Sequence, residues 1–260
     1  MLEIPDTPVL FVNAFGQGPA PWSRLGEQIA GHPTSLWTPA LQWTGATQAS
    51  ELSRQLAALG RPVHLVAWCT GPKIALRVTA RHPNSVASLV FLNPSLKGPS
   101  RAKSLDTEYE SELEALLRTV YRRQASAGRL AEALNRRRSA GTSSSIGLPA
   151  ELADAGVGAF HSAPDLIAYA TQHLEFWEDD ILADTAVRSI AVPITVISAV
   201  QDVVVSATDA ADIARVFPQS ESATVGGGHF SLFTHSDEVA AKISAHLASV
   251  RTRTRSSLPR

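Results

Sequence analysis

The sequence contains one cysteine, and its surroundings are those of an attacking group. In Val63-His64-Leu65-Val66-Ala67-Trp68-Cys69-Thr70-Gly71-Pro72-Lys73-Ile74-Ala75-Leu76 an apolar, strand-like run leads into a turn and then a helix-like segment, with Cys69 at the tip. A sharp strand-to-helix turn lifts its central side chain clear but crowds the flanking residues, so small residues are needed on both sides. Ala67 and Gly71 meet that demand, and Pro72 suits a first helical turn because its missing N–H would be unpaired there anyway. A lone cysteine is otherwise most often a small buried hydrophobe. At the start of a helix, however, the partial positive charge of the terminus favours thiolate and makes the sulfur a nucleophile.

A thiolate nucleophile needs a base, an acid and an oxyanion hole, and the chain supplies candidates in the order nucleophile, acid, base. Asp202 lies in the loop that leaves the apolar run Ile194 to Ala199, where it could accept from an imidazole N–H and fix its tautomer. The commoner role of a loop aspartate is to cap a turn. Asn93 occupies the corresponding place after the fourth strand-like run but cannot carry the charge. His229 follows Gly226-Gly227-Gly228, whose backbone freedom allows the loop to project the ring; His235 is the fallback base. Oxyanion donors are expected from the backbone N–H of Thr70 and from the N–H of Phe15 in Val12-Asn13-Ala14-Phe15-Gly16-Gln17-Gly18. Trp68, Asn13 and Phe230 flank these groups and are expected to contact substrate.

These groups can converge only if a sheet carries them. Strands are expected at Val9 to Val12, Ser35 to Trp37, Val63 to Trp68, Val86 to Leu92, Ile194 to Ala199 and Ser222 to Val225. Helices are expected to begin near Pro21, Ala49, Pro72 and Ala207, with a last one from Asp237 to Val250. This alternation indicates a mostly parallel sheet of about six strands with helices on both faces. It stops between Pro94 and Ser189. There Thr107 to Asn135 has helical periodicity, Arg136 to Ser145 reads as a loop, and Asp165 to Asp180 reads as another helix. The expected organisation is a core of residues 1–98 and 186–250, a helical lid at 99–185 and a disordered tail at 251–260.

Composition narrows the function classes. A formal net charge of −1 over 260 residues gives no general affinity for nucleic acid, and no apolar run approaches the length of a membrane span. One cysteine excludes an intrachain disulfide framework, and the eight histidines lack His-Glu-x-x-His spacing, so neither a metal nor another cofactor is implied. The N-terminus has no signal-like pattern, which suggests a cytoplasmic protein.

Taken together, these fragments resemble the α/β-hydrolase superfamily. Asn13-Ala14-Phe15-Gly16 stands where members commonly carry His-Gly, and Trp22 stands in place of a frequent tryptophan. Arg81-His82-Pro83-Asn84-Ser85-Val86 resembles the family's His-Pro-x-x-Val, and Val192-Pro193, Asp202-Val203-Val204 and Gly228-His229-Phe230 resemble its second half. Departures fall at the site itself, with Cys for Ser at 69, Ala for Gly at 67 and Asn13-Ala14 for His-Gly. A cysteine on this fold is similar to acyl or aminoacyl transferases and thioesterases of nonribosomal peptide and polyketide pathways. That resemblance implies an acyl thioester substrate, with a phosphopantetheinyl carrier protein as partner. Arg122, Arg123, Arg136, Arg137 and Arg138 are candidates for meeting such an acidic carrier, although a charge run is more commonly a solvated helix face. Two alternatives stand beside transfer: a plain ester, lactone or thioester hydrolase, and an inactive relative that binds a ligand or partner.

Overall fold

The computed structural model describes residues 7–29, 31–139, 147–155, 160 and 162–256. The six strands are β1 (Val9–Val12), β2 (Thr34–Trp37), β3 (Val63–Trp68), β4 (Val86–Leu92), β5 (Ile194–Ala199) and β6 (Glu221–Val225). They form one sheet in the order β2-β1-β3-β4-β5-β6, and every pairing is parallel. The helices are α1 (Leu25–Gln28), α2 (Gly45–Leu59), α3 (Gly71–Arg81), α4 (Glu108–Arg122), α5 (Ala127–Ser139), α6 (Ala150–Asp154), α7 (Ala163–Trp177), α8 (Thr185–Arg188), α9 (Ala207–Val216), α10 (Ser231–Thr234) and α11 (Ser236–Ser256).

Parallel strands covered on both faces read as continuous apolar runs, and β1 and β3 are buried along their whole length. Their side chains divide alternately between two cores. Leu10, Val12, Leu65, Ala67 and Phe91 pack with Leu52 and Leu56 of α2 and Ala75 and Val78 of α3. Phe11, Val66, Trp68 and Leu92 pack on the opposite face with Val239, Ile243 and Leu247 of α11. The edge strands β2 and β6 are more exposed, as expected where one neighbour is missing.

Three features differ from the sequence expectation. The helix expected near Pro21 is a single tight turn, Ala20–Trp22, followed by the four residues of α1; the prolines at 19 and 21 remove two of the N–H donors a longer helix would need. The loop expected at Arg136 to Ser145 begins later, because α5 continues to Ser139, and positions 140–145 lie outside the described residues. The tail expected to be disordered from 251 is helical to Ser256. No glycine or proline interrupts that stretch, and basic residues near a helix C-terminus complement its dipole. Residues 257–260 lie outside the described residues. Among the described residues no helix is long and apolar enough to cross a membrane.

Helices α4 to α8 occupy the connection between the neighbouring strands β4 and β5, with α7 packed against α2, α4 and α5. Two devices fasten this connection to the core. Lys73, at the start of α3 and 1% exposed, donates from Nζ to the carbonyls of Lys97 (2.7 Å), Phe176 (2.6 Å) and Asp179 (2.7 Å), so it caps the C-terminal end of α7. Burial lowers its pKa to about 7 despite the attraction of Asp179 and Asp209. Arg101 joins Asp106, Glu110 and Asp209 through buried ion pairs of 2.6–2.8 Å, linking α4 to α9.

Candidate active site

Cys69 directly follows β3 with φ of 54°, one of two non-glycine residues among those described that have positive φ. That conformation turns the chain directly from β3 into α3 and leaves the side chain partly exposed at the edge of the sheet. Its backbone is fixed on both sides: the Cys69 N–H donates to the Leu92 carbonyl at 3.0 Å and its carbonyl accepts from Ser95 N–H at 2.8 Å. Gly71 is required here, since a Cβ on it would lie 2.6 Å from the Val12 carbonyl oxygen. Ala67 is fully buried beside β1 and β4, and its methyl is accommodated.

The structure brings Cys69, His229 and Asp202 together. His229 Nδ1 lies 2.8 Å from Asp202 Oδ2, and Cys69 and His229 line the same small cavity, which leaves Nε2 as the nitrogen available to the sulfur. Asp202 performs both roles open to a loop aspartate: Oδ1 accepts from Val204 N–H (2.8 Å) and Val205 N–H (3.2 Å) to form the turn, while Oδ2 holds the imidazole. Burial by itself would lower the His229 pKa. The charge of Asp202, then that of Cys69, together with hydrogen bonds from both, outweighs burial and raises it to about 10. His235 packs its ring over Gly226 and Gly227 and bonds to Thr234 Oγ1; it does not line the cavity beside Cys69.

Asn93, at the end of β4, is the other residue with positive φ, 43°. Its Nδ2 donates to the His229 carbonyl (3.0 Å) and to Ser231 Oγ (3.1 Å), while Oδ1 accepts from Ala199 N–H (2.8 Å). The indole N–H of Trp68 donates to the same His229 carbonyl at 3.1 Å. Two side chains thus fix the backbone of the loop that presents the imidazole.

The groups expected to bind the oxyanion and substrate are placed less simply. Phe15 N–H is not free: it donates to Thr70 Oγ1 at 2.9 Å. Asn13, expected to contact substrate, is completely buried with its amide committed. Its Oδ1 accepts from Ala14 N–H and Trp22 Nε1 (both 2.9 Å), and its Nδ2 donates to the carbonyls of Gln17 (2.7 Å) and Gly18 (3.0 Å). Asn13 therefore shapes the loop after β1. Trp68 is 1% exposed and is held between Trp22, His229 and Phe230. Phe230 packs edge-on against His229 at the cavity wall.

The cavity beside Cys69 is small, about 60 Å³, enough for a few water molecules. Its floor is Cys69, Thr70, His229 and Phe15, and its other walls include Tyr109, Glu110 and Leu113 of α4 and Tyr169, His173 and Trp177 of α7. A larger cavity of about 830 Å³ lies between the loop after β1 and β2, lined by Phe11, Trp22, Leu36 and Leu41. Gln17 lines both cavities, but Cys69 and His229 line only the smaller and Asp202 lines neither, so reaction chemistry belongs to the small cavity. The α4 and α7 residues were not expected from the sequence. Their signals were present, however: Thr107-x-x-Glu110 is a capping box, and Tyr169, His173 and Trp177 recur every four residues on one helical face.

Comparison with known proteins agrees with this fold. Among solved structures the chain is similar to the haloalkane dehalogenase DbeA from Bradyrhizobium elkani (18% identity, TM-score 0.71, covering 96% of this chain and 93% of that one). It is also similar to a thermophilic esterase from Thermogutta terrifontis (18%, TM-score 0.66, 94% and 90%) and to a thioesterase domain from the curacin biosynthetic pathway (14%, TM-score 0.60, 92% and 92%). No curated protein sequence matches the chain. Residues 15–236 match the alpha/beta hydrolase fold family, which spans both halves of the sheet and all three members of the Cys69–His229–Asp202 cluster, and the chain belongs to that family, whose members are generally enzymes.

Proposed function

We propose that the protein transfers acyl groups through a thioester on Cys69. The observation that carries this reading is the positive-φ cysteine that lines one small cavity with an Asp202-bound imidazole. Asp202 favours the protonated form of His229, and in the proposed step the Cys69 sulfur attacks as a thiolate beside that ring. The Cys69 sulfur forms a bond to the substrate carbonyl carbon, the bond to the departing thiol or alcohol breaks, and His229 gives that leaving group its proton. The now neutral His229 takes a proton from the acceptor, which attacks the thioester and releases Cys69. An acyl group on sulfur is close in energy to an acyl group on a pantetheine or coenzyme A thiol, so sulfur suits reversible exchange with a carrier. Arg122 and Arg123 at the end of α4 and Arg136 on α5 are exposed, where an acidic carrier protein could meet them; the side chains of Arg137 and Arg138 lie outside the described residues.

In this reading the oxyanion is held by the Thr70 N–H and by the Thr70 hydroxyl, whose oxygen accepts from Phe15 N–H and whose proton is free for the cavity. Thr70→Val, which keeps the shape of the side chain, is expected to lower kcat by about 100-fold, as when one oxyanion donor is lost, whereas Thr70→Ser stays near wild type. Steady-state kinetics on the two variants test this. A Thr70→Val enzyme as fast as wild type would remove the hydroxyl from the mechanism.

Hydrolysis is the second reading, favoured by the room for water beside Cys69 and by the likeness to an esterase and a thioesterase domain. Partitioning decides between them. The protein is mixed with a radiolabelled acyl thioester and a second thiol, and the acyl-enzyme is followed by intact mass. Label appearing on the added thiol supports transfer, and label lost to water supports hydrolysis. Absence of any acyl adduct on Cys69 would defeat both.

A further inference from the structure

We infer that the acyl group this site accepts is small and carries an amino group near its carbonyl, and that Glu110 is the residue that reads it. The inference rests on the proposed acyl transfer through Cys69 and deepens it.

The walls opposite Cys69 are polar in a way that packing does not explain. Glu110 is 3% exposed and lines the Cys69 cavity; its Oε2 is taken by Arg101 at 2.8 Å and by Thr107 N–H at 2.9 Å, but its Oε1 has no partner. Trp177 Nε1 and His173 Nδ1, each on a residue 7% exposed in the same lining, are also unpartnered. A buried polar atom left unpaired is unfavourable, and with Gln17 Oε1 there are four on residues of one small cavity, which mark where an occupant's own polar groups belong. The single carboxylate oxygen among them accepts only, so it calls for a donor.

The charges behind the wall favour that donor being cationic. Arg101 is shared among Asp106, Glu110 and Asp209, and Lys97 between Asp106 and Glu114, so two buried cations face four carboxylates. Arg118 and Lys103, both more exposed, pair with Glu114 from the solvent side. The other cation near the wall, Lys73, is saturated by three carbonyls. Tyr109 and Tyr169 add aromatic surface around the cavity, which suits an ammonium group, whereas the Trp177 ring already faces Lys97 Nζ at 4.5 Å. His173 is neutral, since burial lowers its pKa to about 3 with further repulsion from Lys73 and Lys97. The small volume of about 60 Å³ favours a compact group, on the scale of a glycyl or alanyl unit.

The test uses two thioesters of N-acetylcysteamine with acyl groups of the same shape: alanyl, with an amino group, and isobutyryl, with a methyl in its place. Acylation of Cys69 in the full chain is timed by intact mass. Each rate is divided by that of the same thioester with free N-acetylcysteine, which removes the intrinsic activation of the carbonyl by the α-ammonium group. So normalised, the alanyl thioester is expected to react at least about 10-fold faster, the discrimination of a charged hydrogen bond. Glu110→Gln retains a side chain able to close the capping box with Thr107, and it should collapse the ratio of the two rates toward one. Equal normalised rates in the wild type, or a preference for isobutyryl, would overturn the inference while leaving acyl transfer intact. An alanyl preference that survives Glu110→Gln would overturn the role of Glu110, and failure of both thioesters to label Cys69 would overturn the proposed function as well. The wild-type comparison stands even if the variant does not fold.

Discussion

Replacing Cys69 with alanine is expected to remove the acyl-enzyme and to lower turnover by about a million-fold, the loss that follows deletion of a covalent nucleophile from a site that keeps its base. Intact mass after incubation with an acyl thioester reads the first effect, and steady-state kinetics read the second. A Cys69→Ala protein that still turns over would show that water or substrate is activated directly by His229. Cys69→Ser separates sulfur from position. Its hydroxyl must lose a proton to a neutral imidazole, yet Asp202 continues to favour the protonated ring, so the variant should be slow near neutral pH and gain activity as pH rises. The wild type should behave in the opposite sense at high pH, losing the imidazolium that protonates the leaving group as pH passes about 10. Product from the serine variant should also move from the added thiol to water, because an oxygen ester lies below a thioester in energy.

Much of this arrangement was legible in the sequence, and what was not has physical causes. The strands announced themselves because parallel strands buried on both faces must be continuously apolar, as in Val63 to Trp68. The turn at Cys69 was legible because only small residues tolerate it, and Gly71 meets the Val12 carbonyl directly. Asn13 was misjudged as a substrate contact because sequence shows an amide at the mouth of a site but not that a tryptophan and three loop backbone groups have already taken both its ends. Phe15 N–H was misjudged for a related reason: the hydroxyl that occupies it belongs to Thr70, far away in the chain. The α4 and α7 wall was hidden because a stripe such as Tyr169, His173 and Trp177 looks the same whether it packs a core or faces a cavity; only the unpartnered nitrogens of His173 and Trp177 distinguish the two.

Asp202→Asn is expected to lower kcat/KM by about 10,000-fold while leaving the fold intact, because it reverses a tautomer without removing a shape. The asparagine oxygen would stay with Val204 N–H and Val205 N–H, which Asp202 Oδ1 now holds, so the new NH₂ is turned toward His229 Nδ1. That nitrogen must then accept, and the ring proton moves to Nε2, where it faces Cys69 and cannot be exchanged productively. The largest charge holding the imidazolium is lost as well, so the His229 pKa falls from about 10 and the alkaline limb of the kcat/KM profile moves to lower pH. Stability follows the same sign. A histidine whose folded pKa is raised above its unfolded value near 6.5 contributes stability fully below the unfolded value and loses it as pH rises through the folded value. The difference in unfolding free energy between wild type and Asp202→Asn should therefore be greatest at or below about pH 6.5 and shrink as pH approaches about 10. Asn93 offers an internal control. Its amide faces the His229 carbonyl and not the ring, so adding Asn93→Asp to Asp202→Asn should restore nothing and should further weaken the loop by setting a carboxylate against that carbonyl. Recovery of activity in the double variant, or an Asp202→Asn enzyme with the wild-type rate and pH profile, would take Asp202 out of the catalytic assembly.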